Sequence, residues 1–132
     1  MRRIQSQPVF TGISAAATSV PFLVEDFRHL VVHFLLVGAT STFKVKVSNA
    51  KDEKNVDFTA ASTVDNPWYY ADLKGLGDGA STVTGATGFS TTTESSHKAY
   101  AINVDMAKWV GVEASVLSAG TASVILSSAT NE

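Results

Sequence analysis

The chain of 132 residues contains no cysteine and only three prolines. Without cysteine there is no disulfide framework and no thiolate metal centre, so stability must come from packing and strand pairing. Charge of one sign is also lacking. Ten basic residues stand against twelve acidic ones, a net charge of −2. That balance argues against nucleic acid or a membrane surface as the principal partner. The most apolar stretch, Leu30 to Val37, falls far short of the ~20 residues a spanning helix requires and is interrupted by His33. The Arg2-Arg3 pair is followed by Ile4-Gln5-Ser6-Gln7-Pro8, which is not the apolar run of a secretory signal. A soluble protein is expected. At this length one domain suffices, and it would bury roughly 68% of the unfolded chain's surface. No repeat is visible at a period that would indicate a solenoid or propeller.

Serine and threonine supply 29 residues and valine another 16, a composition that favours strands over helices. Period-two alternation is cleanest in Thr42 to Ser48, where Phe43, Val45 and Val47 face one way and Lys44 and Lys46 the other. Lys46 is therefore expected on the outer, solvated face. From His29 to Leu36 both faces are largely apolar, the signature of a central strand. Further strands are expected at Phe22–Val24, Trp68–Leu73, Thr82–Thr84, Tyr100–Val104, Val110–Val116 and Ala122–Ser127. The small residues Ser118 to Thr121 suit a hairpin between the last two. A helical turn is expected at Val104 to Lys108. The sum is an all-β fold: a single β-sandwich or jelly-roll-like domain of about seven to eight antiparallel strands over residues 20–132. Residues 1–19 read as an N-terminal arm, too irregular for a core strand, whose Val9, Phe10 and Ile13 could anchor on another subunit. The glycine-rich segment Gly75 to Ser96 reads as irregular.

No motif carries catalysis. His29 and His33 share a strand face but lie about 13 Å apart, too far to hold one ion, and even with His97 nearby no spaced carboxylate joins them. Asp52, Glu53 and Asp57 are interleaved with Lys51 and Lys54 and lack the glycine of a calcium loop, so a solvated hairpin tip is the better account. The glycines of GLGDGASTVTGATG are not followed by the lysine, hydroxyl residue and helix of a phosphate-binding loop. Serine is abundant, but neither a nucleophile elbow nor a His and Asp partner set accompanies it. No catalytic residue, cofactor site or metal site is expected, and the protein is not expected to be an enzyme. Asn66-Pro67-Trp68-Tyr69-Tyr70 is the conspicuous block. Alternation puts Trp68 and Tyr70 on one face and Tyr69 on the other, so the pair is either a core layer or a platform for a partner or glycan.

Taken in order, FLVEDFRHLVVHF (Phe22 to Phe34), FKVKVSNAKDEKNVDFTAAS (Phe43 to Ser62), NPWYYADLKGLGDGASTVTGATGF (Asn66 to Phe89), YAINVDMAKWVGVEAS (Tyr100 to Ser115) and SAGTASVIL (Ser118 to Leu126) carry a resemblance. The chain after residue 20 resembles the small β-sandwich structural proteins of tailed-bacteriophage particles. In these a strand and charged turn precede an N-x-W block, and a late W-V strand leads to a G-T hairpin. The resemblance implies a non-enzymatic virion component, decorating the capsid or associated with the tail, built as a symmetric homo-oligomer beside other virion proteins. A lectin-type carbohydrate-binding module, using Trp68, Tyr69 or Tyr70 as stacking rings, is the alternative on the same architecture.

Overall fold

The computed structural model describes residues 2–24, 29–76, 81–104 and 107–131, the side chains of 2–5 and 129–131 excepted. The fold is all-β. Among the described residues nine strands form one sheet: β1 (Arg2–Ile13), β2 (Ala17–Thr18), β3 (Phe22–Leu23), β4 (His29–Ser48), β5 (Tyr69–Ala71), β6 (Leu73–Gly75), β7 (Thr82–Val83), β8 (Phe89–Asn103) and β9 (Trp109–Asn131). The order across the sheet is β1-β9-β4-β8-β6-β7, with β2 and β3 on β9 and β5 on β4, every pairing antiparallel. The alternation of Leu30, Val32, Phe34 and Leu36, and of Phe43, Val45 and Val47, is kept: all seven are buried.

These two runs belong to one strand, not two. The rings of Phe34 and Phe43 lie 4.9 Å apart between centroids, and Phe34 and Phe89 5.1 Å. Along a straight strand, residues 34 and 43 would be separated by ~30 Å. β4 is therefore folded back on itself, and its two halves face each other as the two layers of a sandwich. The fold line is marked by register shifts in β4 between Leu36 and Ser41. Residues of positive φ fall at the same level in four neighbouring strands: Gly12, Gly38, Thr93 and Gly120. At Gly120, φ 74°, a side chain would run into the backbone carbonyl of Gly38, so glycine is required both for conformation and for close approach.

A bulged corner takes backbone groups out of the ladder, and here hydroxyls replace the lost partners. The Gly12 N–H donates to Ser123 Oγ at 2.8 Å, Gly38 N–H to Ser95 Oγ at 2.8 Å and Thr93 N–H to Thr40 Oγ1 at 3.0 Å. Inside the bend, Thr91 Oγ1 donates to Ala39 O at 2.9 Å and pairs with Ser41 Oγ at 2.7 Å. The serine and threonine content thus serves the corner as well as strand propensity.

Several expectations are corrected by this topology. Ser118 to Thr121 is a corner within β9, not a hairpin: β9 pairs with β4 on both sides of it, through Thr40↔Ala119 and Val37↔Thr121. Residues 1–19 are not a free arm. β1 pairs with β9 from Arg2↔Asn131 to Ile13↔Ala122, and β2 continues along β9. Val9, Phe10 and Ile13 pack, partly buried, on this chain's own core. Residues 89–96, read as irregular, form the first half of β8. Gly77 and Gly79 of the glycine-rich stretch, and Asp105 and Met106 of the expected helical turn, lie outside the described residues.

Candidate functional site: a lysine in an aromatic cage

Between β4 and β5 the chain makes a long excursion over residues 49–68 that lies on the outer face of the second layer. It has a small core of its own, Ala50, Val56 and Phe58, with Trp68 and Trp109 packed against it. Asn66 holds the loop together, accepting from the Asp57 N–H at 2.6 Å and donating to the carbonyls of Asp57 at 2.8 Å and Ala61 at 3.1 Å. The indoles are pinned too: Trp68 Nε1 donates to Ala60 O at 2.9 Å and Trp109 Nε1 to Ala50 O at 3.0 Å. Ser48 Oγ donates to Pro67 O at 2.5 Å and accepts from the Ala50 N–H at 3.0 Å, joining both ends of the excursion.

Lys46 is the anchor beneath this loop. Strand alternation does turn it outward, but the loop covers that face and leaves the side chain only 4% exposed. Its Nζ donates to Phe58 O at 2.6 Å and meets Glu113 Oε2 at 3.3 Å. The ammonium also stands 4.3 Å from the centroid of the Trp68 ring and 5.9 Å from that of Tyr70, within the range of cation–π attraction. Lys46 pairs across the ladder with Gly111 on one side and Tyr70 on the other. Any side chain at 111 would overlap the Phe58 ring. Glycine there lets Phe58 reach the sheet and bring its carbonyl to the lysine. Burial, and then the Glu113 carboxylate, raise the Tyr70 hydroxyl above its ordinary pKa.

The aromatic block is thus resolved. Trp68 and Tyr70 share a face and meet edge to face at 5.0 Å, with Lys46 occupying one surface of the indole. They are neither the main core nor a bare platform. Tyr69 is the exposed ring of the three, at 52%. The expectation of a solvated Lys46 is overturned, because alternation reports the direction of a side chain and not what a distant loop lays over it.

The acidic residues of the excursion stay at the surface. Asp52 precedes the short 3-10 turn Glu53–Asn55, and both Asp52 and Glu53 are exposed. Asp57 accepts from the Thr59 hydroxyl at 2.5 Å and its N–H at 2.9 Å, which together hold its carboxyl below the usual range. Among the described residues, no group of three or more His, Asp, Glu or Cys side chains is arranged to hold a metal ion. No helix among them is long and apolar enough to cross a membrane.

A second polar cluster lies on the outer face of the first layer. His97 is opposite Leu35 in the β4–β8 ladder and His33 opposite Ala99, so the two imidazoles are diagonal neighbours. His33 Nδ1 and His97 Nε2 are 2.9 Å apart. Burial, followed by the charge of His97, lowers the pKa of His33 from its ordinary value. The contact is not local in the chain: 64 positions separate the partners, and the β4–β8 pairing brings them together.

No family model and no curated protein matches the chain. Solved structures do. The SPBc2 prophage-derived protein YomS superposes with a TM-score of 0.72 at 11% identity, over 98% of this chain and 96% of that one. The PBSX exported protein XepA also gives a TM-score of 0.72, at 16% identity, over 98% of this chain but 38% of that one, so this chain matches a part of XepA. Over nearly its whole length, the chain shares its fold with these two proteins.

Proposed function

We propose that the protein is a non-enzymatic structural component of a bacteriophage particle, docking on capsid or tail proteins as a symmetric homo-oligomer. The observation that carries this reading is the whole-length fold similarity to a prophage-derived protein. The outer face of the first layer supports it. Along β4 this face presents Val31, His33, Leu35 and Val37, beside Ala99 and Ala101 of β8 and Ser123, Ile125 and Ser127 of β9. None of these nine residues has an acidic, lysine or arginine side chain, and Val37 is 66% exposed; the exposed Lys74 of β6, opposite Ala101, stands at the rim of the face. The centres of protein interfaces are depleted of charge in this way, with charged residues at the rim, and such a face suits a neighbouring protein better than nucleic acid or an anionic membrane. The polar excursion and its caged lysine stabilise the opposite layer. Trp68 and Tyr70 are already engaged with Lys46, so the glycan reading has no free pair of stacking rings to draw on.

Co-sedimentation tests the proposal. Particles induced from the strain that encodes the chain, banded on a density gradient, should contain it in fixed proportion to a major capsid or tail protein. Its presence only in the particle-free fractions would refute a virion role and favour an exported one.

A further inference from the structure

The geometry points to a two-imidazole site for a divalent transition-metal ion of the Cu²⁺ or Ni²⁺ type, formed by His33 of β4 and His97 of β8. The sequence argues against His29 with His33 along one strand, but the ladder supplies a different partner. Nδ1 of His33 and Nε2 of His97 converge to 2.9 Å, and both rings stand on an outward face. The hydrogen bond sets the present separation; once its proton has moved, a small rotation of the exposed rings aims both lone pairs at one ion about 2.0–2.1 Å from each nitrogen. Two imidazole nitrogens with water in the remaining positions suit the tetragonal coordination of Cu²⁺ and Ni²⁺.

The backbone beneath the pair is held by continuous pairing from His29↔Asn103 to Leu36↔Ser96, so both donors start from a rigid support. The imidazoles now share a hydrogen bond. To bind an ion, the donating ring moves its proton to its other nitrogen, which frees the lone pair with no net change in charge. Among the described residues no third histidine or carboxylate completes the set, so water fills the remaining positions. An ion so held would clip β4 to β8 in the middle of the outer face of the first layer.

Titration calorimetry with NiCl2 and with CuCl2, joined to nitrogen hyperfine structure in the Cu²⁺ paramagnetic resonance spectrum, tests the site. The full chain should bind one ion with two nitrogen ligands and melt at a higher temperature with metal than without. His33→Ala and His97→Ala should each weaken binding by roughly 100-fold or more, because the second imidazole is no longer supplied intramolecularly. His29→Ala should bind as the unaltered chain does. Metal-free melting of each variant separates loss of ligand from loss of fold. No binding by the unaltered chain, binding retained by either His33→Ala or His97→Ala, or an equal loss in His29→Ala would each overturn the assignment.

Discussion

Lys46 shows most clearly how one side chain connects strand, loop and surface. Its ammonium lies over the Trp68 ring and satisfies a carbonyl that the loop brings into the interior. Truncation would remove the charge partner of Glu113 and leave Phe58 O without its donor. Glu113 is 23% exposed, so water screens part of the ion-pair loss, and the unpaired carbonyl and vacated volume dominate. Lys46→Ala should therefore cost about 2–3 kcal/mol, against at most about 0.5 kcal/mol for Lys54→Ala on the exposed 3-10 turn. Urea denaturation of the two variants measures the difference. Equal midpoints would mean that the loop does not close over the lysine. Nothing local in Lys44-Val45-Lys46 distinguishes the caged lysine from its neighbour two positions earlier. What separates them is Gly111 and Phe58, far away in the chain.

At the scale of elements, periodicity revealed strands where apolar and polar residues alternate, and missed both bulged stretches and the regular but polar run from Arg2 to Pro8, which pairs with β9 in unbroken register. Phe43, Val45 and Val47 were legible because no bulge falls among them. Val9, Phe10 and Ile13 were not, since register shifts between Pro8 and Phe10 and between Phe10 and Ile13 turn all three toward the core without regular alternation. The Ser118 to Thr121 stretch misled for a different reason. Glycine among small polar residues marks a hairpin and a bulged corner alike, and the choice is made by β4, which bends at the same level. The arm expectation can be tested directly. Deleting residues 1–19 strips β1 and β2 from the edge of β9 and uncovers core that Val9, Phe10 and Ile13 shield. The truncated chain should melt well below the full one, or aggregate through the exposed edge of β9. An unchanged melting curve would show that β1 contributes nothing to the fold.

For the whole molecule, three long strands carry both layers, so the two sheets of the sandwich are one sheet continued around a corner. A separate-strand reading reached the correct fold class, because each half-strand has the length and alternation of an ordinary strand. It could not see the continuity, which depends on contacts such as Phe34 with Phe43 and Phe89. The same continuity leaves the two outer faces different in character. One is capped by the 49–68 excursion with its buried lysine, and the other, among the described residues, carries no lysine, arginine or acidic side chain at its centre, with Lys74 at the rim. That asymmetry is what a subunit needs if it is to dock by one side.

Three-dimensional reconstruction of the intact particle tests the structural role most directly. The account predicts density for copies of this bent sandwich in a symmetric arrangement on the capsid or tail, with the Val31, Leu35 and Val37 face turned against a neighbouring protein. A complete particle in which no density accommodates the fold, or in which that face is turned wholly to solvent in every copy, would contradict it.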